Sequence, residues 1–171
     1  WHRSVVDAVI ARSLARIVDQ PVAEEAFLCG LLSHIGKLAL THAAPQEYGA
    51  VVSEAGGWPT DELERERLGF VSGEAAERLL RGWGVPDMLV LGAAYAHRPE
   101  RIPLDAAGEA RRIARIVGLA ELGTAVMFDD DKGGALARFI NEADLRFGLK
   151  RDGVEFVLAS VEVEIGEAAV I

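Results

Sequence analysis

Apolar residues recur at helical spacing along most of the chain. Val6, Ile10, Leu14, Ile17 and Val18 share one face of a segment from Val5 to Val18, and Arg3, Asp7, Arg12, Arg16 and Asp19 fill the other. Gln20-Pro21 ends this segment, because proline disfavours helix at the residue before it. Ala23 to His42 reads as a second helix, almost wholly apolar from Ala26 to Leu32 and therefore central. Gly30 and Gly36 lie inside it. Each costs about 1 kcal/mol against alanine in a helix, a cost that close approach of a neighbouring helix would explain.

Shorter helices follow. Pro45 opens one that runs to Ala55 and closes at Gly56-Gly57. Thr60 or Asp61 caps Asp61 to Leu68, with Gly69 as the stop, and Ser72 caps Gly73 to Arg81, with Gly82 as the stop. Pro86-Asp87 starts a helix towards Ala96 that ends before Pro99. Asp105 caps a long one towards Met127, with Ile113, Ile116, Val117, Ala120 and Val126 as its apolar positions. Asp129-Asp130-Asp131 reads as a solvated turn, since it lacks the alternating ligands and closing Glu of a calcium loop. Gly133-Gly134 reads as a linker before a helix from Ala135 to Phe147. In the tail, Val154, Val157, Leu158 and Val161 keep helical spacing, whereas Val161, Val163 and Ile165 alternate with Glu162 and Glu164 as in a strand. The expectation is a helix through Ser160 with an extended end. The pattern as a whole predicts an all-α, compact bundle of about eight helices.

Composition narrows the functions. The chain has 171 residues, 18 Lys+Arg against 27 Asp+Glu, a net charge of −9, and half its residues are apolar. It reads as one folded domain. The acidic balance argues against nucleic-acid binding by phosphate neutralisation and against docking on anionic lipid. A single cysteine, Cys29, excludes an intrachain disulfide framework and a cysteine zinc cage. Its apolar neighbours suggest a buried, inert thiol. No run of about 18 uncharged apolar residues suggests a membrane span, and no basic-then-apolar leader opens the chain. The chain starts at Trp1 inside a helical pattern, as a piece of something longer would.

Several motifs, in order, carry a resemblance. Ala26 to Leu40, AFLCGLLSHIGKLAL, is similar to the helix of HD-superfamily proteins that reads LLHDIGKL. WHRS at the start resembles a W-x-H-S opening. Glu64 to Pro86 resembles a stretch with LGF, Asp-His, a helix and W-x-x-P. Ala93 to Glu100, AAYAHRPE, resembles a Y-H-H-x-P ending, and Arg112 to Gly123 a closing helix that carries an Asp. Together, over residues 1–128, they resemble the HDOD group, the HD-related output domains of bacterial signalling proteins. The resemblance implies an HD-like helical domain over 1–128 that lacks the family's upstream helical half, with 129–171 as a C-terminal extension of the same domain. It also implies a cytoplasmic regulatory role beside other signalling domains.

Working HD phosphohydrolases hold one or two metal ions with His and Asp side chains, and the metal makes hydroxide from water at neutral pH. The matching positions here are Arg3 for the first His, Ser33-His34 for the His-Asp pair, Ser72 for the next His, Ala96-His97 for the His-His pair and Glu121 for the closing Asp. His2 is about 100° around the helix from Arg3 and points elsewhere. Only His34, His97 and Glu121 remain as donors, so no metal or other cofactor is expected. Arg3 invites two readings: a buried strut paired with Glu121 or another acid, which is preferred, or an anion contact shared with Lys37. Gly36-Lys37 lacks the preceding glycine of a phosphate loop. His34 is expected to be a hydrogen-bonded core histidine. Trp58 is either a core or a surface anchor.

The expected function is therefore a non-catalytic signalling module that contacts a protein partner or adjacent domain. Two alternatives stay open: a residual metal-dependent phosphohydrolase, which requires His34, His97 and Glu121 to converge, and a nucleotide sensor using Arg3 and Lys37.

Overall fold

A computed structural model describes residues 2–106 and 108–168. Among these residues it has ten α-helices, two short 3-10 turns and no strand. In order they are α1 (His2–Val18), a turn at Gln20–Val22, α2 (Ala23–Leu32), α3 (Ile35–Ala43), α4 (Pro45–Ala55), α5 (Asp61–Leu68), α6 (Ser72–Gly82), α7 (Asp87–Ala94), a turn at Pro99–Arg101, α8 (Gly108–Phe128), α9 (Lys132–Phe147) and α10 (Arg151–Ala168). The all-α bundle is as the periodicity predicts.

The core forms around α1, which packs on α2, α8 and α10. Val6, Ile10 and Leu14 are buried there with Ile113, Ile116 and Leu119 of α8, Phe139 of α9 and Val154, Val157 and Val161 of α10. Burying one such Leu or Ile stabilises the fold by about 1.5–3 kcal/mol. The C-terminal helices thus share one core with the N-terminal ones.

The second helix differs from expectation. Ala23 to His42 is two helices, broken at Ser33-His34. No Pro or Gly marks the break. Ser33 Oγ turns back to donate to the Gly30 carbonyl at 2.9 Å, so its hydroxyl is spent closing α2. By length and a mean hydropathy of 1.2, Gln20–Ala43 qualifies as one candidate membrane span despite the expectation of none. Here that stretch is bent, and both halves are packed. A Cβ on Gly30 would lie 2.8 Å from Ala8 Cα of α1, and one on Gly36 would lie 1.9 Å from the Ser72 carbonyl oxygen of α6. Both glycines are therefore explained by backbone approach, as expected.

Other boundaries move for local reasons. Thr60 caps α5, its hydroxyl accepting from the Leu63 N–H at 3.4 Å. Ser72 is not the cap of α6 but its first residue. Glu74 accepts the Val71 N–H at 3.1 Å instead, and the chain leaves α6 through Gly84 at φ 72°, not Gly82. Asp131 accepts from Gly134 N–H at 2.9 Å, so Gly133-Gly134 lies in the first turn of α9 and is not a linker. The tail continues as helix past Ser160, because Val161 is needed in the core; the last residues, 169–171, lie outside the described residues.

One buried acid ties the small helices together. Glu64 is fully buried, accepting the Tyr48 hydroxyl at 2.8 Å and the Ser72 N–H at 2.6 Å. Burial, then this hydrogen bond, raises the Tyr48 phenol well above its ordinary value. The knot holds α4, α5 and α6 beside Gly36 and so fixes α3, which carries Lys37.

Candidate functional site

The break at Ser33-His34 turns the His34 ring inward from the start of α3. There it meets Asp7 of α1. His34 Nε2 donates to Asp7 Oδ2 at 2.9 Å, with side chains 12% and 1% exposed. Asp7 was expected on the polar face of α1; the packing of α2 against that face buries it instead. A second pair stands opposite. His97, after the end of α7, donates from Nδ1 to Glu121 Oε2 of α8 at 2.7 Å. The two imidazoles lie 6.4 Å apart between ring centroids.

Charges within this cluster are coupled. Glu121 raises the His97 imidazole above its ordinary value, against the opposing effects of burial and of Lys37. Burial works against the Glu121 charge, but the His97 charge and hydrogen bond, with His34 and Lys37 behind them, outweigh it and hold the carboxyl below its ordinary value. Lys37 is buried, and its ammonium lies 5.5 Å from the centroid of the Trp58 ring. Trp58 also lies parallel to His34, at 6.4 Å between centroids. It is neither pure core nor a free surface anchor but a partly exposed wall of the site.

The pairs enclose a cavity of about 150 Å³ lined by Arg3, Asp7, His34, Lys37, Trp58, His97, Glu121 and Thr124. Asp7 Oδ1, His34 Nδ1, Glu121 Oε1 and Thr124 Oγ1 are buried without a hydrogen-bond partner in the protein. Four such atoms on one small cavity mark a place that receives something polar, since buried polar groups are normally satisfied. The cavity is large enough for water or an ion.

Of the matched family positions, the structure brings together Arg3, His34, His97 and Glu121. It does not bring in Ser33, spent on Gly30, or Ser72, whose N–H is spent on Glu64 and which lies outside the cavity lining. Arg3 borders the cavity, but its partner is Asp129 at 3.2 Å and not Glu121. Both groups are more than a third exposed, and Arg3 also lies over the Phe128 ring. The buried strut is therefore a surface latch between α1 and the end of α8. Arg3 and Lys37 share the lining, as an anion contact requires.

A metal is the group this arrangement would hold in HD-type proteins. Ligand atoms of His34, His97 and Glu121 lie within 4.8 Å of one another. Two imidazoles and one carboxylate fit a single three-ligand ion, with the Asp7–His34 pair fixing one ring from behind. Such an ion, when bound, supplies hydroxide at neutral pH. The set does not fit two ions, and the Lys37 ammonium stands against the same donors. Lys37 and the His97 imidazole, whose hold on a proton Glu121 strengthens, already face the carboxylates of Asp7 and Glu121.

The sequence reading missed Asp7 and Thr124. For Asp7 a signal existed: it is the lone charge in Val5-Val6-Asp7-Ala8-Val9-Ile10-Ala11. Thr124 carried none. Cys29 is buried, its thiol pushed up to about 12 by burial and then by Glu25, and is inert as expected.

Comparison with known proteins places this geometry. The family model of the HDOD domain matches residues 1–99. No curated protein matches the chain. Among solved structures, one described as "Putative phosphohydrolase from Shewanella amazonensis SB2B" superposes with a TM-score of 0.71 at 22% identity, over 94% of this chain and 57% of that one. The MmoQ response regulator of Methylococcus capsulatus str. Bath superposes with a TM-score of 0.69 at 28% identity, over 92% of this chain and 60% of that one. The chain thus spans less than two thirds of either structure, and the first likeness speaks to the fold alone.

Proposed function

The chain belongs to the HDOD family, and from that premise we propose that it is a non-catalytic signal-transduction module. Its His–carboxylate cluster stiffens the fold for contact with a protein partner or an adjacent signalling domain. The observation that carries this reading is the internal pairing of the remaining donors. Asp7–His34 and Glu121–His97 pair within the protein, and Lys37 lines the same cavity beside them. The residues at the matched positions Arg3, Ser33 and Ser72 support it: the Arg3 and Ser33 side chains are latched to Asp129 and to a helix carbonyl, and Ser72 is buried at the start of α6 with its N–H on Glu64. Likeness to a response regulator supports the signalling role, and a bacterial, cytoplasmic setting is part of the same proposal.

A second reading has its own observation. His34, His97 and Glu121 do converge, as a residual single-ion phosphohydrolase requires. Hydrolysis of p-nitrophenyl phosphate and of nucleotides, measured with added Mn, Fe, Ni or Zn, separates the two. The first reading expects rates equal to a His97→Ala variant with every metal. A metal-dependent rate abolished by His97→Ala establishes the second.

A further inference from the structure

Beyond the central cluster, three arginines gather on another cavity that His97 also borders. This cavity, of about 350 Å³, is lined by His97, Pro99, Glu100, Arg111, Arg115 and Arg146. Arg111 and Arg115 stand one turn apart on α8, and Arg146 comes from the last turn of α9. All three are half-buried. Arg146 is drawn over Gly118: a Cβ there would sit 3.6 Å from Arg146 Nη1 and 2.2 Å from the Ala96 carbonyl oxygen. A side chain at 118 would thus close the gap that joins the arginines to the His97 segment.

Two of these arginines lack the carboxylate partner that most arginines among the described residues hold. Arg65, Arg67, Arg81 and Arg98 each hold a carboxylate. Among the described residues, Arg111 and Arg115 hold none. Arg111 Nη2 donates to the Ile102 and Pro103 carbonyls at 3.0 and 3.4 Å. Arg115 Nη2 donates to the Arg146 carbonyl at 2.7 Å and its guanidinium lies over Phe147. Arg146 gives only Nε, to Glu142 at 2.8 Å. A guanidinium has five N–H donors. Nε and Nη1 of Arg111 and Arg115, and both Nη atoms of Arg146, therefore remain uncommitted beside the cavity. The carbonyl tethers fix each fork in place, so a ligand would meet donors already ordered.

We propose that Arg111, Arg115 and Arg146 form a binding site for a small phosphate-bearing molecule of the sugar-phosphate or mononucleotide class. Planar forks that pair bidentately with phosphate are what distinguishes arginine from lysine. The cavity volume suits a phosphate with one small organic group. A local positive field in a chain of net charge −9 favours a small anion over an extended polyanion. The site goes beyond the reading of the central cluster and stands whether or not that cluster takes a metal. His97 borders both cavities, so a bound ligand would touch the back of the His97–Glu121 pair.

Calorimetric titration of the 171-residue chain with ribose 5-phosphate, inorganic phosphate and ribose tests this. The expected result is binding of ribose 5-phosphate, weaker binding of phosphate and none of ribose. Arg115→Gln should weaken ribose 5-phosphate by about tenfold or more, from the loss of a charge-assisted hydrogen bond. Arg111→Gln, tethered to loop carbonyls and not to a helix end, should do the same and serves if Arg115→Gln does not fold. Arg78→Gln, on an exposed face, should leave binding unchanged. Three results overturn the proposal: no binding of either phosphate at millimolar concentration, equal weakening by Arg78→Gln, or binding lost in Arg3→Gln and kept in Arg111→Gln and Arg115→Gln. The last would move the ligand to the central cavity.

Discussion

Replacing Glu121 by Gln keeps the shape of the side chain and removes its charge from His97. In the native protein Nδ1 of His97 lies 2.7 Å from Glu121 Oε2, with side chains 31% and 17% exposed. Two opposite charges at about 4 Å attract by ~4 kcal/mol at the effective dielectric of a protein surface. Desolvation takes back much of this, and the partial exposure of His97 screens more, leaving about 1–3 kcal/mol. The pH dependence follows from the two shifts. His97 is raised above its ordinary 6.5, so its contribution is complete below that value and is lost as pH rises through the raised one. Glu121 is lowered below its ordinary 4.5, so its contribution is complete above that value and is lost as pH falls through the lowered one. The pair therefore stabilises the fold fully between 4.5 and 6.5 and fades on either side. Urea unfolding of wild type and Glu121→Gln at several pH values from 4 to 9 measures the difference. The gap should be about 1–3 kcal/mol near pH 6 and shrink towards pH 9. A gap that is absent near pH 6, or constant across the range, refutes the argument.

Other predictions concern the scaffold beneath the site. Gly36→Ala puts a Cβ 1.9 Å from the Ser72 carbonyl oxygen and 2.9 Å from Ala76 N, both backbone atoms that must move. The expected loss is about 3 kcal/mol or more, read as a fall in Tm of roughly 6–12 °C; an unchanged Tm would mean that α3 and α6 do not meet as described. Glu64→Gln turns one acceptor of the Tyr48–Glu64–Ser72 knot into a donor and should cost about 1–3 kcal/mol. In a double-mutant cycle with Tyr48→Phe the two losses should couple by at least ~0.5 kcal/mol, and strict additivity would show the contact is not made.

Helices and their stops were largely legible because local chemistry writes them. Pro45, Thr60, Gly56, Gly69 and Gly148 stand where the boundaries are, the three glycines at positive φ. The break that makes the site was not legible. Ser33-His34 has no breaker residue, and it bends because α2 and α3 are each drawn against a different helix through Gly30 and Gly36. Tertiary packing decided it. The same holds for acids: Asp7 and Glu64 look like surface charges on helical faces, but α2 covers one and α6 the other. His34, His97 and Glu121 were recoverable as a group from the motif order, whereas their pairing with Asp7 and Lys37 depends on a bend that no local pattern encodes. The arginine site was hidden for a related reason. Arg146 is far from Arg111 and Arg115 in sequence, and only the packing of α9 on α8 brings it there.

The central claim of the proposed function is that the Asp7–His34 and Glu121–His97 pairs, with Lys37 beside them, stand without a metal ion. Metal content of the purified chain tests it most directly, measured by elemental analysis after exposure to Mn, Fe, Ni and Zn and removal of free ions, alongside His34→Ala. The account predicts far less than one ion per chain for every metal, with no difference between wild type and variant. One ion per wild-type chain, lost in His34→Ala, would contradict it.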